Sequence, residues 1–593
     1  MPSLFERVLS ARGLTDKAKR ASFLRPDYAN NRHDPFLLPD MAAAVERLVA
    51  AHAAGEQITI YGDYDIDGLT ATTLLLDALA SFGFERVEAF IPNRFVEGYG
   101  MTVEAVESIA AAGAQLIITV DCGSLSHEPI TRARELGVDV IVTDHHNVAF
   151  EQPPAVAVIN PKRLLKDYPD RYDGFILKKP RPTPEDLYPF LDLPGVGVAF
   201  KLVQALQSRL DGLPEGQEKW LLDLVALGTV CDVVRLEDEN RLHVYWGLQV
   251  LAKTRRPGLR ALMAVAGVEP SNVDARSLGF ALGPRMNAAG RLETAQLALD
   301  MLTARDGQAA LEKAYVLDEM NARRRKDQDA ILKDALILAE QFADDPVLVV
   351  SAPGWNHGIV GIVAAKLLER FQKPTFVLQE YAEAAAPASQ GQAAKAHGAS
   401  EAVAKGSARS YGNFSAAEAI RASSDIITKG GGHALAAGVT VPVREIAAFR
   451  ARVNQYYREQ GLSLEKERAF LLPQEDAVAS LGEVTEEVVA QLATLEPFGN
   501  GNPAPIIRSD QLDVRHVRRV GSEGQHLKLT LIDAGSVPVT EMEFVAFSAP
   551  EAFFVDVGDT VRVWYQTDIN EWRGRRSVQG KLLRLERLED SIR

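Results

Sequence analysis

The sequence predicts an α/β chain in three parts: a doubly wound parallel sheet, a second α/β domain reached along one long helix, and a compact strand-rich module. Three observations carry this. From residue 57 onward short β-branched runs alternate with helical patterns, the signature of a mostly parallel sheet. Residues 304–342 hold no Pro, and no Gly beyond Gly307, so they read as one helix. After residue 472 the chain changes to short strands, with helical turns only near its start. The 593 residues allow about three or four domains. The expected boundaries are an N-terminal extension 1–54, a first domain 55–303, the helix 304–343, a second domain 344–465 and a last module 466–593.

Hydrophobic content of 47% with 24% charged residues is that of an ordinary globular protein. Two cysteines, Cys122 and Cys231, cannot build a disulfide framework and fit a reducing cytosol, so a cytoplasmic location is expected. No uncharged apolar run is long enough for a membrane span, and the first 20 residues are too mixed and charged for a signal peptide. A net charge of −15 argues against nonspecific coating of nucleic acid but leaves room for a local basic groove.

Taken in order, residues 1–37 are polar and irregular, and a helical pattern follows over 39–54. Strand candidates are 57–61, 87–92, 116–120, 138–143 and 155–160, with helical patterns at 70–82, 103–112 and 130–136. In such a sheet ligands sit beyond the carboxyl ends of the strands. Those ends carry Asp63, Asp65 and Asp67, then Pro92-Asn93-Arg94, then Asp121, then Asp144-His145-His146. Three carboxylates in the turn Gly62-Asp63-Tyr64-Asp65-Ile66-Asp67-Gly68 raise one another's pKa unless a cation neutralises them. Hard cations such as Mg2+ or Mn2+ take oxygen ligands of this kind. The spacing also opens an EF-hand loop, but the twelfth position is Leu74 rather than Glu, and a strand leads in. A solvated acidic turn is the bland alternative, although a strand-to-helix turn has little use for three acids without a cation.

Residues 162–190, rich in Pro, Lys, Asp and Tyr, read as an irregular connection. Leu193-Pro194-Gly195-Val196-Gly197 resembles a DNA-binding helix-hairpin-helix turn, but a plain glycine-rich helix start packed on the sheet is the preferred reading. Residues 220–234 are nearly all apolar, so Asp232 among them must be paired, neutralised or metal-bound. A helix cap or an arginine pair competes with the metal reading there. Gly283-Pro284-Arg285-Met286-Asn287-Ala288-Ala289-Gly290-Arg291 reads as a loop whose Arg285, Asn287 and Arg291 suit phosphate oxygens. The middle of the long helix, 318–329, is almost wholly polar, as a bridge across a cleft would be, and its Arg323-Arg324-Arg325-Lys326 run reads as a solvated face.

The second α/β domain, 346–459, holds strands 347–351 and 375–378 and a loop, Trp355-Asn356-His357-Gly358, leading into a helix. Residues 380–400, rich in Ala, Gln and Gly, read as a flexible surface insertion. Gly430-Gly431-Gly432-His433 is expected ahead of a helix, where backbone N–H groups can approach an anion. With Arg409 and His433 alongside, phosphate binding is the better reading. The last stretch has strands at 506–507, 512–516, 527–532, 543–547, 560–565 and 577–583, a pattern that suggests an OB-fold barrel. Trp564, Tyr565, Trp572 and Arg573, with Arg515, Arg518, Arg519, Lys528, Arg575 and Arg576, give the cation-plus-aromatic mix used for single strands, although Trp564 on its strand reads rather as core.

The turn 63–68, Val120-Asp121-Cys122-Gly123 and Thr143-Asp144-His145-His146 resemble the DHH phosphoesterase motifs, and residues 430–438 resemble the glycine-rich loop of the DHH-associated domain. Three further segments narrow the resemblance to the RecJ single-strand DNA exonucleases. They are Pro92-Asn93-Arg94 with Glu97-Gly98-Tyr99-Gly100, residues 283–291, and Leu495-Glu496-Pro497-Phe498-Gly499-Asn500-Gly501. The match runs from about residue 55 to the C-terminus with its motifs in order. It departs at the Ala-rich insertion near Ala384, and an extra C-terminal domain of some relatives is not expected.

The resemblance implies a catalytic DHH domain and its associated domain, joined by the long helix around a DNA cleft, then an OB-fold. It implies 5′-to-3′ degradation of single-stranded DNA to 5′-mononucleotides, in repair and recombination. It also implies two Mn2+ or Mg2+ ions, about 3.5–4 Å apart, held by Asp63, Asp65, Asp67, Asp121, His145 and Asp232, with Asp121 as the bridge. His146 would face the substrate phosphate, and Asp144 would orient a histidine. Arg94, Ser407 and Arg409 would hold a terminal 5′-phosphate, with Arg285, Asn287 and Arg291 along the backbone, and Gly431, Gly432, His433, Trp572 and Arg573 as further strand contacts. Single-stranded DNA is the expected partner, with a single-strand-binding protein and a repair helicase as candidate protein partners, and no membrane. A DHH phosphodiesterase of short oligonucleotides or cyclic dinucleotides would need only the first two domains, so the barrel counts against it. An inactive DHH scaffold would be expected to lack metal ligands, and here every candidate is present.

Overall fold

The computed structural model describes residues 2–94, 100–178, 187–381, 402–521, 524–535, 538–572 and 574–588. Glu97, Gly98 and Tyr99, most of the insertion at 380–400, Arg573 and the side chain of Trp572 therefore lie outside the described residues. The chain divides into two compact units, one formed by Arg32–Leu471 and the other by Met1–Asn31 with Leu472–Arg593.

Within Arg32–Leu471, helix Met41–Ala54 precedes five strands: β1 (Ile58–Gly62), β2 (Val87–Phe90), β3 (Leu116–Val120), β4 (Asp139–Thr143) and β5 (Ala157–Ile159). They pair in the order β2-β1-β3-β4-β5, all parallel. Every residue of β1, β3 and β5 is buried, as expected of a sheet covered on both faces. The chain steps from β1 outward to β2, then returns to β3 on the other side of β1 and moves away through β4 and β5. That reversal opens a crevice at the carboxyl ends of β1 and β3, where an open α/β sheet takes its ligand.

Helix Ile66–Ser81 begins four residues before the expected 70, because the Asp65 carboxylate caps it by accepting from the N–H groups of Asp67 and Gly68. The stretch 162–190 is less irregular than expected, with a helical turn and a small hairpin of β6 (Tyr172–Asp173) and β7 (Ile176–Leu177). Residues 283–291 are not a loop. They form helix Gly283–Leu292, entered through a π-helical segment Leu278–Leu282, because Pro284 is tolerated in a first helical turn and Met286, Ala288 and Ala289 have a core to face.

The long helix is Gly307–Glu340, 34 residues, capped by Asp306. Its polar middle is not uniformly solvated: Asn321 is 2%, Gln328 7% and Arg324 8% exposed. Arg324 donates to Asn321 Oδ1 (3.2 Å) and Gln328 Oε1 (3.0 Å), so one helix face carries a buried polar ladder while Arg323, Arg325 and Lys326 stay in solvent.

The second sheet has β8 (Leu348–Pro353), β9 (Thr375–Tyr381), β10 (Val403–Arg409), β11 (Lys429–Gly432) and β12 (Ala436–Pro442), in the order β11-β12-β10-β9-β8. Only the β8–β9 pair is parallel. The glycine run therefore does not precede a helix; it forms one arm of a β-hairpin. A Cβ on Gly432 (φ +141°) would lie 2.6 Å from Ala437 Cα, and one on Gly430 would lie 2.6 Å from Ile420 Cγ2. The buried alternation of Ala437, Val439 and Val441 on the partner arm holds the run in the sheet.

In the other unit, residues 1–37 are not all irregular. Ser3 and Asp16 cap helices Leu4–Ala11 and Lys17–Leu24, and Leu4, Phe5, Val8 and Leu9 form an apolar stripe buried in the same core as the barrel strands. The strands are β13 (Ala477–Val478), β14 (Ile507–Val520), β15 (His526–Asp533), β16 (Thr540–Ala546), β17 (Thr560–Trp572) and β18 (Arg575–Arg587). Pairing of β14 with both β15 and β17 closes a five-stranded barrel. The two short strands expected at 506–507 and 512–516 are one strand with a bulge, and Trp564 is core at 5% exposure. Among the described residues no helix is long and apolar enough to cross a membrane.

Candidate metal centre and phosphate-binding groups

Asp63 and Asp65 follow β1, Asp67 opens the next helix, and Asp121 follows β3, so all four meet at the crevice between these strands. His145 arrives from the end of β4, and Asp232 from the C-terminal end of helix Leu222–Cys231. Three overlapping groups have ligand atoms within 4.8 Å of one another: Asp63, Asp65, Asp121; Asp67, His145, Asp232; and Asp121, His145, His146. His145 Nε2 lies 3.0 Å from Asp121 Oδ1, 3.7 Å from Asp232 Oδ2 and 3.8 Å from Asp67 Oδ2. Asp121 thus belongs to both ends of the cluster. It also has a left-handed φ of +60°, a conformation an L-residue holds only under constraint.

Asp63 Oδ1, Asp121 Oδ1, Asp232 Oδ2 and both ring nitrogens of His145 are buried and make no hydrogen bond among the described residues. Unpaired buried acids are costly, and a divalent cation is the group that satisfies several together. Burial first, and neighbouring carboxylates second, push Asp63, Asp121 and Asp232 well above the usual carboxylate range, and Asp67 up to about 7. Burial and the charge of His146 hold the His145 imidazole well below its ordinary value, leaving it neutral as a ligand must be. The donor set of carboxylate oxygens and one imidazole fits Mn2+ or Mg2+, with the nitrogen favouring Mn2+.

Close approaches fix the cluster. Asp67 accepts from the N–H groups of Gly195 (2.5 Å) and Val196 (2.8 Å), the first turn of helix Gly195–Leu206. A Cβ on Gly195 would lie 2.6 Å from Asp121 Cβ, and one on Gly68 would lie 2.5 Å from Asp63 O. The glycine-rich 193–197 stretch is a helix start, as expected, but it also holds a candidate ligand, a role the sequence reading missed. Asp144 accepts from the backbone N–H groups of Ser124 (3.0 Å), His145 (2.7 Å) and His146 (3.1 Å), and pairs with His146 Nδ1 at 2.9 Å. Burial would raise Asp144, but the hydrogen bond and charge of His146 win and hold it below the usual range. Burial likewise opposes a charged His146, yet the bond to Asp144 leaves its pKa raised. Asn160, fully buried and not singled out in sequence, donates to Ser124 Oγ (2.8 Å) and to the His146 carbonyl (2.9 Å), tying the ends of β3, β4 and β5 together.

A second cluster is cationic. Burial, then Arg94, Arg324 and Arg409, lower the Arg291 pKa to about 10, and burial and Arg94 lower Arg409. Four guanidinium groups therefore crowd one region, with Ser407 beside Arg409: a Cβ on Gly361 would lie 3.1 Å from Arg409 Nη2 and 3.3 Å from Ser407 Oγ. The arginine and serine expected to meet a terminal phosphate do converge, and Arg324, read from sequence as solvated, joins them. Arg285 does not stand with these groups; it pairs with Asp318 on the long helix at 2.8 Å. Asn287 is half-buried on helix Gly283–Leu292. Gly431, Gly432 and His433 are exposed on the hairpin, and partial burial of the ring, then the charges of Lys162 and His146, lower the His433 pKa. Lys162 is a further basic group that the sequence reading passed over.

Three family profiles match the chain: "DHH family, N-terminal domain" over 57–229, "DHHA1 domain" over 344–459 and "RecJ OB domain" over 475–583. The single-stranded-DNA-specific exonuclease RecJ of Bacillus subtilis is 35% identical over 578 residues, covering 97% of this chain and 67% of its own length. The protein of the same name in Dickeya dadantii is 34% identical over 600 residues, covering 98% of this chain and 95% of its own. Among solved structures, RecJ from Thermus thermophilus in complex with Mn2+ superposes with a TM-score of 0.76 at 29% identity, covering 99% of this chain and 79% of that one. An exonuclease RecJ bound to manganese gives 0.57 at 32% identity over 72% of this chain and 98% of that one.

Proposed function

The chain belongs to the RecJ family of single-stranded-DNA-specific exonucleases, and on that premise we propose that it degrades single-stranded DNA from the 5′ end to 5′-mononucleotides by metal-dependent hydrolysis, in DNA repair and recombination. The observation that carries the chemistry is the set of buried, unbonded ligand atoms of Asp63, Asp121, His145 and Asp232 at the β1/β3 crevice. With Asp65 and Asp67 they fit two Mn2+ or Mg2+ ions, which when bound supply an activated water and neutralise charge on the leaving oxygen. Asp121, in reach of both ends of the cluster, fixes the ligand spacing, and Gly195 and Val196 hold the Asp67 carboxylate. His146, oriented by Asp144 and kept readily protonated, meets the non-bridging phosphate oxygens and stabilises charge there.

Arg94, Arg291, Ser407 and Arg409 would receive the terminal 5′-phosphate, since guanidinium groups crowded and partly buried are relieved by a dianion. A mid-strand position has no terminal phosphate to fill that clamp, which favours exonuclease over endonuclease action. Asn287, Arg285 and the glycine hairpin with His433 would contact the strand backbone, and Trp572 and Arg573 would be further strand contacts. A cytoplasmic setting, with single-strand-binding protein and a helicase supplying substrate, completes the reading.

The test is digestion of long single-stranded DNA labelled at either end, with Mn2+, Mg2+ or chelator. Mononucleotides released from the 5′ end and lost with chelator are expected. Survival of long strands while dinucleotides or cyclic dinucleotides are cleaved would overturn the substrate assignment.

A further inference from the structure

Helix Ile66–Ser81 carries Asp67 in its first turn and Asp77 near its far end, ten residues on, or about 15 Å along the axis. At that far end, away from the acid cluster, lies a depression of about 310 Å³ bordered by Asp77, Gln217, Trp220, Arg255, Arg256 and Arg305. Two features make it unlike ordinary surface. Trp220 is 39% exposed even though the Arg255 guanidinium sits 4.7 Å from its ring centroid. The charge is also of the wrong sign for a chain of net charge −15, since three arginines face only Asp77 and Asp223.

Those two acids are already engaged. Asp77 accepts from Arg256 Nη1 at 2.5 Å, and Asp223 accepts from the Thr254 hydroxyl at 2.7 Å and from its own neighbour's N–H. Arg256 Nε faces Asp223 Oδ2 at 3.6 Å, so Arg256 is held between the two acids. Arg305, with 87% of its side chain exposed, reaches no closer than 3.9 Å to Asp77, so its guanidinium is available to an incoming anion. An exposed aromatic residue beside Arg255 and the largely exposed Arg305 guanidinium matches a ligand with a flat π-system and a phosphate.

We propose that this depression is a nucleotide-binding site separate from the catalytic crevice, with the base stacked on Trp220 and the phosphate met by Arg255 and Arg305. Such a ligand has two sources: a free 5′-mononucleotide, the class of product released by the proposed reaction, or a nucleotide unit within a single strand passing over this face. The site thus connects the output or the substrate of the reaction to the helix that bears Asp65 and Asp67 at its other end.

The full chain, held in chelator so that nothing turns over, is titrated by calorimetry with dAMP, with a 20-residue oligothymidylate and with inorganic phosphate. The background variant is Arg409→Ala, to weaken the other phosphate site. Trp220→Ala and Arg305→Glu, both at exposed positions, are each expected to bind about tenfold more weakly. If dAMP affinity falls, the free nucleotide is the ligand; if only the oligonucleotide's affinity falls, the strand is. Unchanged affinity for both, or inorganic phosphate binding as tightly as dAMP with no dependence on Trp220, would overturn the proposal.

Discussion

The acid cluster at the β1/β3 crevice and the arginine cluster around Arg291 are two versions of one physical situation with opposite sign. In the first, burial and like charge push Asp63, Asp67, Asp121 and Asp232 upward; in the second, the same two causes push Arg291 and Arg409 downward. Among the described residues neither cluster is neutralised from within, although elsewhere buried charges are: Lys201 meets Glu239 at 2.8 Å with both side chains fully buried. Buried charge that keeps its own counter-ion is structural. Buried like charge left without one marks a place for a ligand, a cation in one case and a phosphate in the other.

The comparison breaks first at Asp121. Asp121→Ala is expected to lower turnover on single-stranded DNA on the order of 10³-fold, measured under single-turnover conditions with saturating Mn2+. Arg409→Ala should act on the opposite cluster, weakening 5′-phosphorylated strands by about 10–100-fold while leaving 5′-hydroxyl strands nearly unchanged. Equal loss on both substrates would remove Arg409 from the clamp. Asn160→Ala, which frees the His146 carbonyl and Ser124, is expected to lower kcat about tenfold with little change in KM.

The smallest expected effect is on stability. Asp67 rises from 3.8 to about 7 in the folded chain, so without metal its contribution is greatest below pH 4 and is lost as pH rises through about 7. Tm in chelator should therefore fall between pH 5 and pH 8, and Mn2+ should restore a few degrees more at the upper pH than at the lower. A metal-free Tm that climbs over that range would mean the acids are paired by something in the protein itself.

Much of this was legible in the sequence because the acid-bearing strand ends are local. Asp63, Asp65, Asp67, Asp121 and the Asp144–His146 run each end a β-branched strand, and the parallel order brings the ends together. Partners supplied across long sequence distances were not legible. The Asp67 carboxylate is held by N–H groups 128 and 129 residues away, and only the Cβ-free approach of Gly195 to Asp121 explains that glycine. The glycine run 430–432 looked like a helix-leading loop because glycine has no strand preference; its hairpin is imposed by the apolar alternation of the opposite arm. Likewise the first helices were hidden because eight-residue segments carry little periodicity, and their apolar stripe has meaning only against the barrel core.

The unpaired acids are expected to hold two cations, with Asp121 needed for both. Equilibrium binding of Mn2+ to the wild-type chain and to Asp121→Ala tests it without any turnover. Two ions per chain, with tight binding lost in the variant, is the predicted result. Identical Mn2+ stoichiometry and affinity in the two proteins would contradict it.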